Sequence, residues 1–529
     1  MYSRIKKLLI ANRGEIARRI IRACESLGIE TVVVASDPDQ NSLAAREAGE
    51  VVALAGSTAR ETYLNKEAII AAARSTGCDA IHPGYGFLSE DGDFAQAVID
   101  AGLIFVGPSP QSIRALGVKT TARETVTRAG VPVTPGSSSA GSDEDLERAA
   151  HAIGLPVIIK AAAGGGGRGM RIVRAIEEMR ESLAQARSEA LKNFGSPDVF
   201  IEKYIEEPRH VEVQIFGDTH GKVIHFGTRD CSSQRRHQKL LEEAPAPFLD
   251  PDIREKIHHA AVAAAKSVGY YNAGTAEFLV KGRDFYFLEI NTRIQVEHPI
   301  TEAITGIDLV ALQIKVAMGE PLPCEQSEVR FQGHAIELRI NAEDSMEGFR
   351  PATGTIASWT RASRVGIRED SGYQQGDTIP PFYDSLLSKV IVRGETRAHA
   401  LSEAFQFLRG YAIEGVPTTI PFHAWILSNP QFQENGIDIG YVERTFTAEG
   451  AREALSFLAR DPAHREPGPD GSPYQEIVTG SALPAGAVSL TVVHEQGGTF
   501  LAVPVDAHGQ TLPKEHWRRA LTRAALVGS

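Results

Sequence analysis

The apolar run 8–11 is followed by Ile16, Ile20, Ile21, Cys24 and Leu27 at helical spacing, and then by a second apolar run, 31–35. Strand, helix, strand in that order is a βαβ unit, and short apolar runs at 80–81 and 104–106 extend it into a parallel sheet. From about Lys119 the pattern changes to α+β. Runs 156–160 and 170–174 read as strands on either side of a glycine stretch, and 176–192 reads as a helix. A third stretch, roughly 333–441, mixes strands with a helix at 398–408. Residues 461–473 are rich in proline and glycine and read as a linker. Beyond them, runs 488–493 and 499–503 predict a hairpin, with a helix to follow. The expected fold is a multidomain α/β and α+β protein with a small appended module.

The glycine stretch, KAAAGGGGRGM at 160–170, contains G-x-G-x-x-G at Gly164, Gly166 and Gly169. A dinucleotide fingerprint needs a helix after those glycines. Here the following residues alternate and are β-branched, so the stretch predicts a hairpin loop and excludes that site. No Gly-Lys-Ser/Thr closes the run, which excludes a Walker A loop as well. What remains is a loop whose backbone N–H groups can approach phosphates, with Lys160 at the end of the entering strand.

Composition narrows the class. The 529 residues are 42% hydrophobic and 23% charged, an ordinary globular balance, and the net charge of −12 argues against general nucleic-acid binding. Four cysteines form no C-x-x-C pair, so neither a zinc site nor a disulfide framework is indicated. No apolar run approaches the ~20 residues of a membrane span. The first residues lack the pattern of a signal peptide, so the cytoplasm is the expected compartment.

Two stretches carry candidate chemistry. In AEFLVKGRDFYFLEINTRIQVEH, 276–298, two apolar strands flank a turn. Taken as a three-residue loop, 282–284, that turn sets Glu277 opposite Glu289. Two facing carboxylates repel, and a divalent cation removes the penalty. Glu289, Asn291, Arg293, Gln295 and Glu297 then occupy every second position. Continued extension puts metal ligands, a guanidinium and a possible base on one face. The second stretch, RDCSSQRRHQK at 229–239, clusters four cations and a histidine in a loop-like segment. In an acidic protein this marks an anion site.

These stretches, together with IANRGEIA, IHPGYGFLSE, EKYIEEPRHVE and RINAED, resemble the biotin carboxylase family of ATP-grasp enzymes over roughly residues 1–447. The resemblance implies a Rossmann-like N-terminal domain (1–114), an ATP-grasp domain with a glycine-loop lid (115–330), a biotin carboxylase C-terminal domain (331–447) and an appendage (448–529). By motif it implies ATP contacts from Lys119, Lys160, Gly166, Gly167, His210, Gln234 and His237. Glu202, Lys203, Tyr204 and Ile205 would receive the adenine. Glu277, Glu289 and Asn291 would hold Mg²⁺, with Mn²⁺ as an alternative, and Glu277 and Glu289 also count among the nucleotide-site residues. Lys239, Arg293, Gln295 and Val296 would bind bicarbonate, Glu297 would be the general base, and Arg339 and Tyr85 would face biotin. The departures are small: Val118 stands where an acidic residue is common, and Ala162–Ala163 replace a more usual Ser-Gly.

The activity implied is ATP- and bicarbonate-dependent carboxylation of biotin through carboxyphosphate, in a homodimer. A different ATP-grasp ligase would not be expected to show RIQVEH and RINAED together. A non-catalytic scaffold or regulatory subunit would be expected to have lost Lys239, Glu297 or Arg339, and none is lost. No Ala-Met-Lys-Met turn is present, so biotin is expected on a separate biotin carboxyl carrier protein, with a carboxyltransferase subunit to consume it. For residues 448–529 two roles are expected: docking to those partners, or capping the third domain.

Overall fold

The computed structural model describes residues 4–137, 141–162, 170–361, 366–434 and 436–458, and three strands between 476 and 505. The N-terminal pattern forms as the periodicity dictates. β1 (Lys7–Ile10), α1 (Gly14–Leu27) and β2 (Glu30–Ser36) make the βαβ unit, and α1 buries Ile16, Ile20, Ile21 and Cys24. With β3 (Glu50–Leu54), β4 (Ala80–His82) and β5 (Ile104–Phe105) it gives a parallel sheet of order β3-β2-β1-β4-β5. β3 is an edge strand whose apolar run, Val51–Leu54, stays mostly exposed, and it was not read as a strand from the sequence.

The glycine stretch is the connection of a hairpin, as expected. β6 (Val157–Ala161) pairs antiparallel with β7 (Arg171–Val173), Val157 opposite Val173, and β8 (Val199–Lys203) joins the other edge. The connection itself, with Gly166 and Gly167, lies outside the described residues. The helix expected over 176–192 is a 3₁₀ turn at Ile176–Glu178 followed by α2 (Met179–Phe194).

The scaffold of the site is an eight-stranded antiparallel sheet. Its strands are β9 (Arg209–Gly217), β10 (Val223–Arg235), β11 (Gln238–Ala244), β12 (Asn272–Lys281), β13 (Asp284–Asn291), β14 (His334–Asn341), β15 (Ile367–Ser371) and β16 (Leu386–Gly394). They run in the order β13-β12-β9-β10-β11-β14-β16-β15. One sheet therefore passes through the region around residue 330 without a break, because β11 pairs with β14.

Three local expectations need correction. The stretch 229–239 is not a loop: it is the end of β10, a two-residue turn and the start of β11. Residues 229–234 are buried on both faces although nearly all are polar, so the run lacks the apolar residues by which a buried strand is recognised. The β12–β13 turn holds two residues rather than three, since Lys281 pairs with Asp284. A bulge between Glu277 and Phe278 restores the register, and Glu277 does face Glu289. Finally, β13 stops at Asn291. Residues 292–297 turn, and α3 (His298–Thr305) begins with Pro299 in its first turn, where a fixed φ favours a helix.

After β16, α4 (Arg397–Arg409) and α5 (Ile420–Ser428) pack on the sheet's back face, and α6 (Ala448–Leu458) packs on α5. α6 buries Ala451, Ala454 and Leu458 against a cluster that includes Trp425, Tyr441 and Phe446. The residues after 447 thus begin with a helix packed on α5 and its aromatic cluster. The expected hairpin is present as β18 (Ser489–Glu495) and β19 (Thr499–Val505), with β17 (Glu476–Val478) on the far edge of β18. The linker 461–473 and the expected final helix lie outside the described residues. No helix among the described residues is long and apolar enough to cross a membrane.

Truncation separates cap from appendage. A chain ending at Leu458 should unfold at the same denaturant midpoint as the full chain's main transition. Ending it at Thr447 should cost at least ~2 kcal/mol, since Leu458 and the aromatic cluster lose their cover. Equal midpoints for the two truncations would show that α6 is not a cap.

Candidate active site

A cavity of about 970 Å³ opens between the N-terminal sheet, the β6–β8 sheet and the front face of the central sheet. Every described residue that the sequence singled out lines it, from Lys119, Lys160 and Tyr204 to Lys239, Glu297, Arg339 and Tyr85. Neighbouring strands deliver them: β9 gives His210, β10 Gln234, β11 Lys239, β12 Glu277, β13 Glu289 and Asn291, and β14 Arg339.

At one end a carboxylate is clamped. Glu297, buried at the cap of α3, accepts from Lys239 Nζ at 2.7 Å and from Arg339 Nη2 at 2.9 Å. Burial pushes its carboxyl upward, but Lys239, Arg339 and Arg229 reverse this and hold it well below the usual carboxylate range. Lys239 also reaches Glu212 at 2.6 Å and Glu277 at 3.0 Å. Burial favours its neutral amine, and the three carboxylates override that and keep it an ammonium.

Arg293 leaves the strand but stays in the site. Its Nε donates to Glu90 at 3.0 Å and its Nη2 to Asn291 Oδ1 at 3.1 Å, while Glu90 also accepts from the Thr292 backbone. Gln295 donates to Glu277 at 3.0 Å, and the Val296 carbonyl is held by Lys389 at 2.7 Å. Alternation picked out residues that do line one cavity, but not by the extended strand it assumed. A turn pinned by Glu90 and Lys389, not an extended strand, converges them.

The metal expectation rests on Glu277, Glu289 and Asn291. Register sets the two carboxylates opposite each other, and Asn291 Nδ2 donates to Glu277 at 2.9 Å. In the structure the His210 imidazole and the Lys119 ammonium stand in that space. His210 Nε2 lies 3.1 Å from Glu277, and Lys119 Nζ lies 3.2 Å from Glu289. Burial lowers His210 and Glu277 more than restores it; burial likewise lowers Lys119 and Glu289 restores it. Two carboxylates and an amide oxygen are hard donors, the set that suits Mg²⁺ or Mn²⁺ when phosphates complete the shell. The residues fit the ion.

Toward the β6–β8 sheet, Lys160 pairs with Glu202 at 2.5 Å, and Arg123 binds the same carboxylate. Burial raises Glu202, and the two cations outweigh it and keep it ionised. Lys203 Nζ donates to the carbonyls of Gly154 and Leu155 at 3.0 and 2.9 Å. His237 sits in the β10–β11 turn with φ 65°, after Arg236 at φ 48°. Two left-handed non-glycine residues in a row are strained, and such strain clusters where a turn must aim a side chain.

Sequence reasoning missed the residues beneath this surface. Arg229 is fully buried, bonds Glu212, and donates to Gln214 at 2.8 Å, Thr301 at 2.9 Å and Gln295 at 3.0 Å. The alternation of His210, Glu212 and Gln214 with Val211, Val213 and Ile215 was a usable signal. It reads equally well as a solvated strand face, and only the sheet packing decides. Glu242, which binds Arg339, stands beside Glu243 in the segment Leu240-Leu-Glu-Glu-Ala244, where the pair of acids reads as solvent-facing.

Two antiparallel sheets closing on a cavity lined with phosphate-type cations and hard oxygen ligands define an ATP-grasp enzyme, a carbon–nitrogen ligase in this setting. Family comparisons agree. The biotin carboxylase N-terminal domain model matches residues 4–113, the carbamoyl-phosphate synthase L chain ATP-binding domain model 118–325, and the biotin carboxylase C-terminal domain model 337–444. The biotin carboxylase of Nostoc sp. is 52% identical over 440 residues, 83% of this chain and 98% of that protein. The solved biotin carboxylase component of a pyruvate carboxylase is 46% identical, with a TM-score of 0.72 over 83% of this chain and 98% of that one. A solved dimer of the biotin carboxylase domain of Hydrogenobacter thermophilus 2-oxoglutarate carboxylase, with MgADP, ADP and bicarbonate, aligns at 46% identity. Its TM-score is 0.81, over 83% of this chain and 97% of that one. The chain belongs to the biotin carboxylase family.

The Arg229 network is open to a direct test. R229M leaves Glu212 buried with only Lys239 opposite, and removing one partner of a buried pair costs about 3–5 kcal/mol. Chemical denaturation should show that loss. A loss below ~1 kcal/mol would mean that Lys239 alone balances Glu212.

Proposed function

We propose that this chain carboxylates biotin on a separate carrier protein, consuming ATP and bicarbonate, and so performs the first half-reaction of a biotin-dependent carboxylase. The observation that carries the reading is Glu297 held between Lys239 and Arg339, in the same cavity as the nucleotide-type residues. A solved relative that is part of a pyruvate carboxylase, and another holding MgADP and bicarbonate, support it.

In this reading bicarbonate enters against Lys239, Arg293, Gln295 and the Val296 backbone. Being an anion, it competes with Glu297 for its cations, and each cation drawn away leaves Glu297 more basic. Glu297 takes the bicarbonate proton, and the freed oxygen attacks the γ-phosphorus of ATP, releasing ADP and giving carboxyphosphate. Lys119, Lys160, His210, Gln234 and His237 position the nucleotide, with the segment 202–205 at its adenine. Glu277, Glu289 and Asn291 would hold Mg²⁺ or Mn²⁺, which neutralises phosphate charge. Aligning two reactants supplies ~7–11 kcal/mol toward the barrier.

Carboxyphosphate then breaks to CO₂ and phosphate, and the phosphate takes the N1′ proton of biotin. Arg339, with Tyr85 nearby, stabilises the enolate, which attacks CO₂ to give carboxybiotin. Gly166 and Gly167 complete the nucleotide site in the lid loop. The division of the chain at 114, 330 and 447 serves the same reading. Its partners are a biotin carboxyl carrier protein, a second copy of the chain and a carboxyltransferase subunit.

Parallel assays of ADP release and carboxybiotin separate the roles. E297Q keeps shape but removes the base, so both activities should fall together. R339A should cut carboxylation by ~10²–10³ while bicarbonate-dependent ATP hydrolysis survives better. Normal turnover in E297Q would overturn the base assignment. Equal losses in R339A would move that residue to phosphate or bicarbonate binding.

A further inference from the structure

Behind Arg339 the central sheet holds a second pair of facing carboxyls. Glu242 on β11 and Glu337 on β14 are directly opposite in the register, and both are fully buried. Side chains so placed have Cβ atoms roughly 4.5–5.5 Å apart. Glu242 Oε1 accepts from Arg339 Nε at 2.6 Å and also from Nη2. Glu242 Oε2 and both Glu337 oxygens have no donor among the described residues. Resting on the functional reading above, we propose that Glu242 is the positioning residue of Arg339, and that Glu242 and Glu337 share one proton, so that the pair presents a single negative charge to the guanidinium.

The surroundings leave little alternative. The charged and titratable groups around Glu337 are Glu242 from β11, Arg339 on its own strand, Lys389 from β16, and Glu297 with His298 at the start of α3. Helix α4 covers the opposite face of β14, against Ile336, Leu338 and Ile340. Lys389 is engaged by the Val296 carbonyl at 2.7 Å and Glu15 at 3.0 Å, and burial keeps His298 neutral. Two full charges on Glu242 and Glu337 would face cations that are already committed in a buried interior: Arg339 is shared with Glu297, Lys389 is paired with Glu15, and Lys239, which also acts on Glu242, is bound to Glu212, Glu277 and Glu297. Coupled carboxyls avoid that arrangement by retaining a proton. The titration directions agree. Burial above all pushes Glu242 up to about 7, and it drives Glu337 well above the usual range.

The pair has a task in the reaction. Arg339 lies between two carboxylates, one fixed and one that changes charge. Once Glu297 is protonated by bicarbonate, Glu242 alone holds the guanidinium through Nε and Nη2, and the Nη2 hydrogen that faced Glu297 is free to face the enolate. A second charge on the pair would weaken Arg339 as an enolate partner, so the proton on Glu337 preserves its strength.

The test is the ratio of carboxybiotin formed to ADP released, followed from about pH 6 to about pH 9, which cancels ionisations common to both steps. In the unsubstituted protein the ratio should fall as the pair loses its proton. In E337Q it should stay level. E242Q should lower the ratio roughly ten- to hundredfold throughout, the loss expected for a charge-assisted hydrogen bond. Infrared spectra of the unsubstituted protein at neutral pH should contain a protonated-carboxyl band that shifts with isotopically labelled glutamate. That measurement stands even if neither variant folds. Absence of the band, or a falling ratio in E337Q, overturns the shared proton. An unchanged ratio in E242Q overturns the positioning role. Absence of any carboxybiotin from the unsubstituted protein would instead refute the functional reading, with the infrared band still deciding the pair.

Discussion

Burying a carboxylate costs several kcal/mol unless cations and donors replace its water. The front face of the central sheet does this repeatedly. Glu212 lies against Arg229 and Lys239, Glu277 against Lys239 and His210, and Glu297 against Lys239 and Arg339. Lys239 touches all three carboxylates, so no member can be placed independently of the others. The spacing of Glu212, Lys239 and Glu277 comes from strand pairing, about 4.7–4.9 Å between neighbours, and the pinned turn before α3 brings Glu297 to them. A site that must align an anion with a phosphate thus takes its dimensions from the sheet.

Much of this was legible, and the failures share a cause. Apolar periodicity located the βαβ unit, the hairpin around the glycines and the β18–β19 hairpin, because each has one face in a core. It failed where strands bury polar faces. Residues 229–235 looked like a loop because the residues buried on both faces there are mostly polar. Glu277 and Glu289 were placed opposite each other through a three-residue turn, whereas the chain uses a two-residue turn and a bulge. Parity was preserved, so the conclusion survived the wrong route. The polar face after Asn291 was identified by alternation, yet tertiary pins, Glu90 on Arg293 and Lys389 on Val296, make it converge. Those pins lie 203 and 93 residues away in sequence, and no local pattern encodes them.

Residue roles were read mainly through the family resemblance, and the supporting residues were not. Arg229, Glu212, Glu242 and Glu337 carry charge in positions whose sequence signature is that of a solvated strand. What separates the two readings is whether another layer covers the face, which is a property of the assembled sheet.

The continuity of that sheet explains how two chemical steps share one cavity. Gln234 and Lys239 lie on one hairpin, and Arg339 lies on the strand beside it. The Arg339 carbonyl accepts from Thr419 Oγ1 at 2.8 Å and lies 2.7 Å from His423 Nε2, so its backbone is held from the rear while its guanidinium is held in front. The groups proposed for the nucleotide, for bicarbonate and for the enolate therefore sit on adjacent strands of one sheet. Carboxyphosphate is short-lived in water, and the product of the first step must meet biotin before it escapes. A shared sheet fixes the distance between the two steps. Placed on separately moving domains, the same residues would have to find that distance anew in each turnover, with the intermediate exposed meanwhile.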